Sequence, residues 1–132
     1  MFRLSKRADY GLIALKHLAL HNPQAYSAPQ IARTYNIPPE LMAKVLQRLV
    51  RKGLLMSHPG PNGGYELARN AETISVIDVI EALEGPVFLT PCEVADDCEQ
   101  LQLCSIKDPL RNIKQKVVSV LVDTTIHELA TN

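Results

Sequence analysis

The 132-residue sequence predicts a mainly α-helical fold with a small β-hairpin wing: a winged helix-turn-helix domain followed by a long C-terminal dimerisation helix. Three observations predict it. Apolar residues recur at three- and four-residue steps in several separate segments, as amphipathic helices require. Two of those segments are joined by the short turn Asn36-Ile37-Pro38, the arrangement of a helix-turn-helix. A Gly- and Pro-rich tip, Pro59-Gly60-Pro61-Asn62-Gly63-Gly64, then separates two short apolar runs, which is a hairpin signal.

The first helix runs from Ser5 to Leu20, with Ala8, Leu12, Leu15 and Ala19 at helical spacing and Ile13 and Leu18 widening the stripe. Asn22-Pro23 ends it. The second starts at Ser27, where Ser27-x-x-Gln30 is a capping box and Pro29 suits the first turn. It stops near Tyr35. The third begins near Pro39-Glu40 and runs to Lys52 on a stripe of Met42, Val45, Leu46 and Leu49, with Gly53 as its stop. Glu40, Lys44, Gln47, Arg48 and Arg51 lie off that stripe.

Leu54–His58 and Tyr65–Ala68 are the two strands of the wing. Ser75-x-x-Asp78 caps a helix over Val76–Glu84, closed by Gly85-Pro86. Ile106, Leu110, Ile113, Val117 and Val120 then step by four, three, four and three, with Leu121 widening the face. That helix starts near Asp108-Pro109 and ends near Asp123, and Thr125-x-x-Glu128 caps a last short turn. An apolar stripe this long needs a cover, so it predicts a homodimer interface; packing back onto its own domain is the competing reading. The chain thus divides into residues 1–85 (DNA-binding domain), 86–105 (cysteine-rich loop) and 106–132 (dimerisation helix and C-terminal turn).

Composition narrows the function. The apolar fraction of 46% is ordinary for a globular domain. Residues 1–70 carry ten Lys/Arg against three Asp/Glu, and residues 71–132 carry four against eleven, so a net charge of zero hides halves of +7 and −7. The basic half attracts a polyanion. No apolar run is long enough for a bilayer, so no membrane partner is expected. Met1-Phe2-Arg3-Leu4-Ser5-Lys6-Arg7 lacks the pattern of a signal peptide, which predicts a cytoplasmic protein with reduced thiols. No histidine pairs with a cysteine and no glycine-rich phosphate loop is present, which speaks against an enzyme.

Cys92, Cys98 and Cys104 are the only cysteines, with five residues between each pair. The residues between them are polar and acidic and carry no helical or strand stripe. Thiolates are soft donors that suit iron–sulfur clusters and zinc. Structural zinc favours closer pairs, so zinc is the second choice. A thiol-based redox sensor without metal is a further alternative. Three thiolates leave a cluster one ligand short. Asp9 is a candidate for that place, with Asp108 and Glu93 as alternatives, although an acid in the first turn of a helix also serves the helix dipole. His17, His21, His58 and His127 stand at no ligand-like spacing from the trio.

Leu4-Ser5-Lys6-Arg7-Ala8-Asp9-Tyr10-Gly11, Gly60-Pro61-Asn62-Gly63-Gly64-Tyr65 and the three cysteines, in that order, resemble a known family. It is that of the winged-helix iron–sulfur transcriptional regulators, which includes IscR and NsrR. Ile80-Glu81-Ala82-Leu83-Glu84-Gly85-Pro86 also looks like members that control iron–sulfur assembly genes. The resemblance implies a homodimeric DNA-binding regulator, commonly a repressor, that senses cluster status, redox or nitric oxide. It implies a cluster on Cys92, Cys98 and Cys104, with [4Fe-4S] and [2Fe-2S] both open. IscR-type members have a histidine three residues after the last cysteine as fourth ligand, where this chain has Lys107. NsrR-type members use an aspartate on the first helix of the other subunit, and Asp9 stands at the matching place. Pro59 replaces the arginine that IscR-type members direct into the minor groove.

The family likeness places DNA on the third helix and the wing. Lys44 and Arg48 are the candidates for the major groove, because Lys and Arg donate to the acceptor edge of guanine. Glu40 near the helix start either accepts from a cytosine amino group or serves the dipole. Lys6, Arg7 and Arg51 are candidates for phosphates, His58 for a strand-end position near DNA, and Asn62 and Gly63 for close backbone approach at the wing. The competing reading for each is a solvated surface. A dimer separates two such helices by roughly 34 Å, which predicts a palindromic or pseudo-palindromic operator in double-stranded DNA.

Overall fold

The computed structural model describes residues 4–86 and 107–131. Among these residues the element order is α1 (Lys6–Leu20), α2 (Ala28–Tyr35), α3 (Pro39–Arg51), β1 (Leu55–His58) and β2 (Gly64–Leu67). A 3-10 turn (Ala71–Thr73), α4 (Val76–Glu84), α5 (Lys107–Asp123) and α6 (Ile126–Thr131) follow. No helix among them is long and apolar enough to cross a membrane.

Serines start three of the helices by giving an oxygen to otherwise unpaired N–H groups. Ser5 Oγ accepts from the Ala8 N–H at 3.1 Å. Ser27 and Gln30 form the reciprocal box, at 3.3 Å from the Gln30 N–H to Ser27 Oγ and 2.7 Å from the Ser27 N–H to Gln30 Oε1. Ser75 and Asp78 do the same at 3.2 and 3.1 Å. No side chain caps α3; it opens on Pro38-Pro39, and proline brings no N–H to satisfy. Asn36 turns α2 into α3 in the left-handed conformation, at φ 56°.

The core lies between α1, α2, α3 and α4. Leu15, Leu18, Ile31, Met42, Leu46, Leu49, Leu55, Ile74 and Leu83 are all fully buried in it. Gly11 sets the approach of α1 to α4, because a Cβ there would collide with Leu83 Cδ1.

Two long-range strand-like contacts complete the fold. Tyr26 pairs with Tyr65 through two backbone hydrogen bonds of 3.1 and 2.7 Å, adding a third extended segment beside the hairpin. Gly64 sits against it at φ 139°, where a Cβ would overlap the Tyr26 backbone. Ser75 and Thr125 form the other bridge, with the Val76 N–H on Thr124 O and the Ile126 N–H on Ile74 O, both at 2.8 Å. This bridge folds α6 onto α1 and buries Ile126 completely. The last short turn therefore packs back onto its own domain. Along α5, Leu121 packs beside Ala8, Val76 and Ile80, while Ile113 and Val120 stay 51% and 64% exposed.

His17 is the buried polar residue of the described core. Its Nδ1 shares a 2.8 Å hydrogen bond with the Tyr35 hydroxyl, and its ring meets those of His21, Tyr26 and Tyr35. Burial, then the neighbouring His21, lowers its pKa from the usual 6.5.

Candidate nucleic-acid interface

The outward face of α3 follows from its stripe. With 100° per residue, burying Met42, Val45, Leu46 and Leu49 leaves Glu40, Lys44, Gln47 and Arg51 on the opposite side. All four are exposed. Lys44 and Arg51 have no ion pair among the described residues, so their charge is available to a polyanion. Glu40 stands in the first turn, where its carboxylate favours the helix dipole.

Arg48 stands apart. It lies on the flank of α3, and its Nε donates to the Ala82 carbonyl of α4 at 2.8 Å. Sequence spacing grouped it with Lys44; the tertiary contact separates the two.

The antiparallel wing pairs Leu55 with Leu67, Met56 with Glu66, Ser57 with Tyr65 and His58 with Gly64. His58 Nε2 lies 2.8 Å from Glu66 Oε1, a link between the two strands. Asn62 is exposed and Gly63 partly so, at the turn between them. A cleft of about 560 Å³ separates this tip from the start of α2, lined by Gln24, Ser27, Gln30, Arg33, Asn62 and Gly63. Sequence reasoning gave Arg33 no role. Its place one turn after Gln30 on a capped helix is a signal that would have found it.

At the other end of the domain, Lys6 is exposed, and Arg7 Nε lies 3.4 Å from Glu84 Oε1. Ser5 Oγ also donates to that carboxylate. Arg7 is thus partly neutralised by the end of α4. Asp9 is exposed in the first turn of α1, and its carboxylate has no hydrogen bond or ion pair among the described residues.

Cys92, Cys98, Cys104 and Glu93 lie outside the described residues, as does the side chain of Asp108. Among the described residues no group of three or more His, Cys, Asp or Glu is placed to hold a metal ion.

Residues 4–132 match the family model Rrf2, described as an iron-dependent transcriptional regulator. The HTH-type transcriptional regulator IscR of Pectobacterium atrosepticum is 29% identical over 131 residues, covering 98% of this chain and 80% of that one. Among solved structures, CymR (YrzC), the global cysteine regulator of B. subtilis, superposes with a TM-score of 0.82 at 32% identity, covering 99% of this chain and 98% of the other. T. potens IscR gives a TM-score of 0.79 at 25% identity, over 98% and 87%. These relatives are regulators rather than enzymes, and the fold is their winged helix. The chain belongs to the Rrf2 family of transcriptional regulators.

Proposed function

We propose that the chain is a homodimeric repressor that binds a palindromic or pseudo-palindromic operator and is switched by an iron–sulfur cluster held by Cys92, Cys98, Cys104 and Asp9. The observation that carries the DNA half is the exposed face of α3, with Lys44 and Arg51 free of ion pairs among the described residues. Lys44 reads base edges with Glu40, while Arg51, Lys6, Arg33 and the Asn62-Gly63 backbone meet phosphates. The exposed apolar residues of α5 support the dimer.

The cluster half rests on donor chemistry. Three thiolates suit iron, and the Asp9 carboxylate is exposed with no partner among the described residues. When bound, the cluster supplies a redox- and gas-reactive centre. A carboxylate oxygen is harder than a thiolate, so an iron held by Asp9 would be the one most open to oxidant or nitric oxide. Cluster state shifts DNA affinity only through contacts that differ between the two states.

A second reading has one observation in its favour. CymR, with a TM-score of 0.82, is described as a cysteine regulator, so the shared fold does not by itself select iron chemistry. In that reading the thiols act without a metal.

The deciding measurement is iron, acid-labile sulfide and zinc per chain in protein purified without oxygen. Equal iron and sulfide support the cluster, and the Asp9→Cys variant then loses it more slowly in air. Zinc alone, or no metal after reconstitution, rejects the cluster and leaves a structural metal or a thiol sensor. Selective, salt-dependent binding to duplex DNA tests the other half independently.

A further inference from the structure

The final turn of α4 contains an acceptor that the local sequence leaves open. In an α-helix the carbonyl of residue 82 accepts from the N–H of residue 86. Residue 86 is Pro86, which has no N–H, and Gly85 has already left the helix at φ 82° and ψ −167°. The Gly85 N–H closes on Glu81 O at 2.9 Å, one residue too early to serve Ala82. Ala82 itself is buried, with 5% of its surface exposed. The donor that arrives is Arg48 Nε at 2.8 Å, from a helix 34 residues earlier in the chain. A guanidinium at a helix C-terminus also complements the dipole.

The same turn is held from a second side. Glu84 takes the Ser5 hydroxyl and lies 3.4 Å from Arg7 Nε, both at the start of α1. The end of α4 is therefore a joint between α1 and α3.

From this geometry we infer that Arg48 is a positioning residue for DNA recognition: through Ala82 it fixes the pitch of α3 against α4, and it does not itself contact DNA. The inference rests on the reading of α3 as the recognition helix. A cation on this face is otherwise expected to touch DNA, and the roles differ in salt dependence and in where selectivity is lost. Removing a phosphate contact lowers the slope of log affinity against log salt by about one, and removing a base contact relaxes selectivity at the one base pair it reads, whereas misplacing the helix leaves the slope alone and erodes selectivity at every base pair that α3 reads.

The test measures binding to an operator selected from random duplex DNA, and to random DNA, across a salt series. It compares the wild type with Arg48→Met, Arg48→Lys and Lys44→Met. Arg48→Met should lose on the order of tenfold for the operator, with selectivity lost across all the base pairs that α3 reads in a set of single-base-pair operator variants, little change on random DNA and an unchanged salt slope. Arg48→Lys keeps the charge but carries its donor one bond farther out, so it should resemble Arg48→Met. Lys44→Met should lower the slope. If Arg48→Met lowers the slope by about one, or loses selectivity at a single base pair only, or if Arg48→Lys binds like the wild type, the positioning role is overturned while the DNA-binding reading stands. A wild type with no selective binding at all overturns both. Should Arg48→Met fail to fold, Arg48→Lys alone carries the decision by the same criteria.

Discussion

Helices α3 and α5 carry the same kind of pattern and meet opposite fates. In α3 the apolar positions Met42, Val45, Leu46 and Leu49 are all at most 2% exposed. In α5 the pattern is as regular, yet Ile113 and Val120 are 51% and 64% exposed. Periodicity decides that each segment is an amphipathic helix, and it says nothing about what covers the stripe. The first stripe is covered by neighbours within the domain. The second is met by α4 on one side, through Leu121, and leaves apolar surface for a partner.

The largest effect is expected in α3. Leu46→Ala removes a fully buried side chain and should destabilise the domain by about 2–5 kcal/mol in urea unfolding. A loss under about 1 kcal/mol would mean that the core around α3 collapses to fill the space. Next in size is the capping box of α2. Ser27→Ala leaves the Gln30 N–H without its side-chain acceptor and should cost about 1 kcal/mol in the same assay.

A smaller effect comes from pH. The folded pKa of His17 lies below its unfolded value near 6.5, so the unfolded chain binds the proton first. The stabilisation from neutral, buried His17 is therefore complete above about pH 6.5 and is lost as pH falls below that value. Thermal melts of the wild type should show this decline, and His17→Phe should flatten it. An equal decline in both would move the acid sensitivity elsewhere. The smallest change in domain stability belongs to α5. The double variant Ile113→Asp/Val120→Asp alters exposed positions, so unfolding of the separated chain should shift by no more than about 0.5 kcal/mol. Sedimentation should meanwhile show monomers in place of dimers. A large loss of stability with no change in mass would mean that α5 packs within its own chain.

The helices, their caps and the hairpin were legible in the sequence. Ser27-Gln30 and Ser75-Asp78 act over three residues, and the stripe of α3 repeats every three or four, so their physics is local and visible in the string. The outward placement of Lys44, Glu40 and Arg51 followed from that same stripe. Tertiary structure alone decided the rest. Tyr26 joins Tyr65 across the wing, Thr125 joins Ser75, and α6 folds onto α1, because backbone hydrogen bonds between distant segments carry no side-chain pattern. Arg48 and Lys44 look alike as letters on one helix. Only the chain's return 34 residues later brings Ala82 O, deprived of a local donor by Gly85 and Pro86, to Arg48 Nε, and that contact gives the two cations different surroundings.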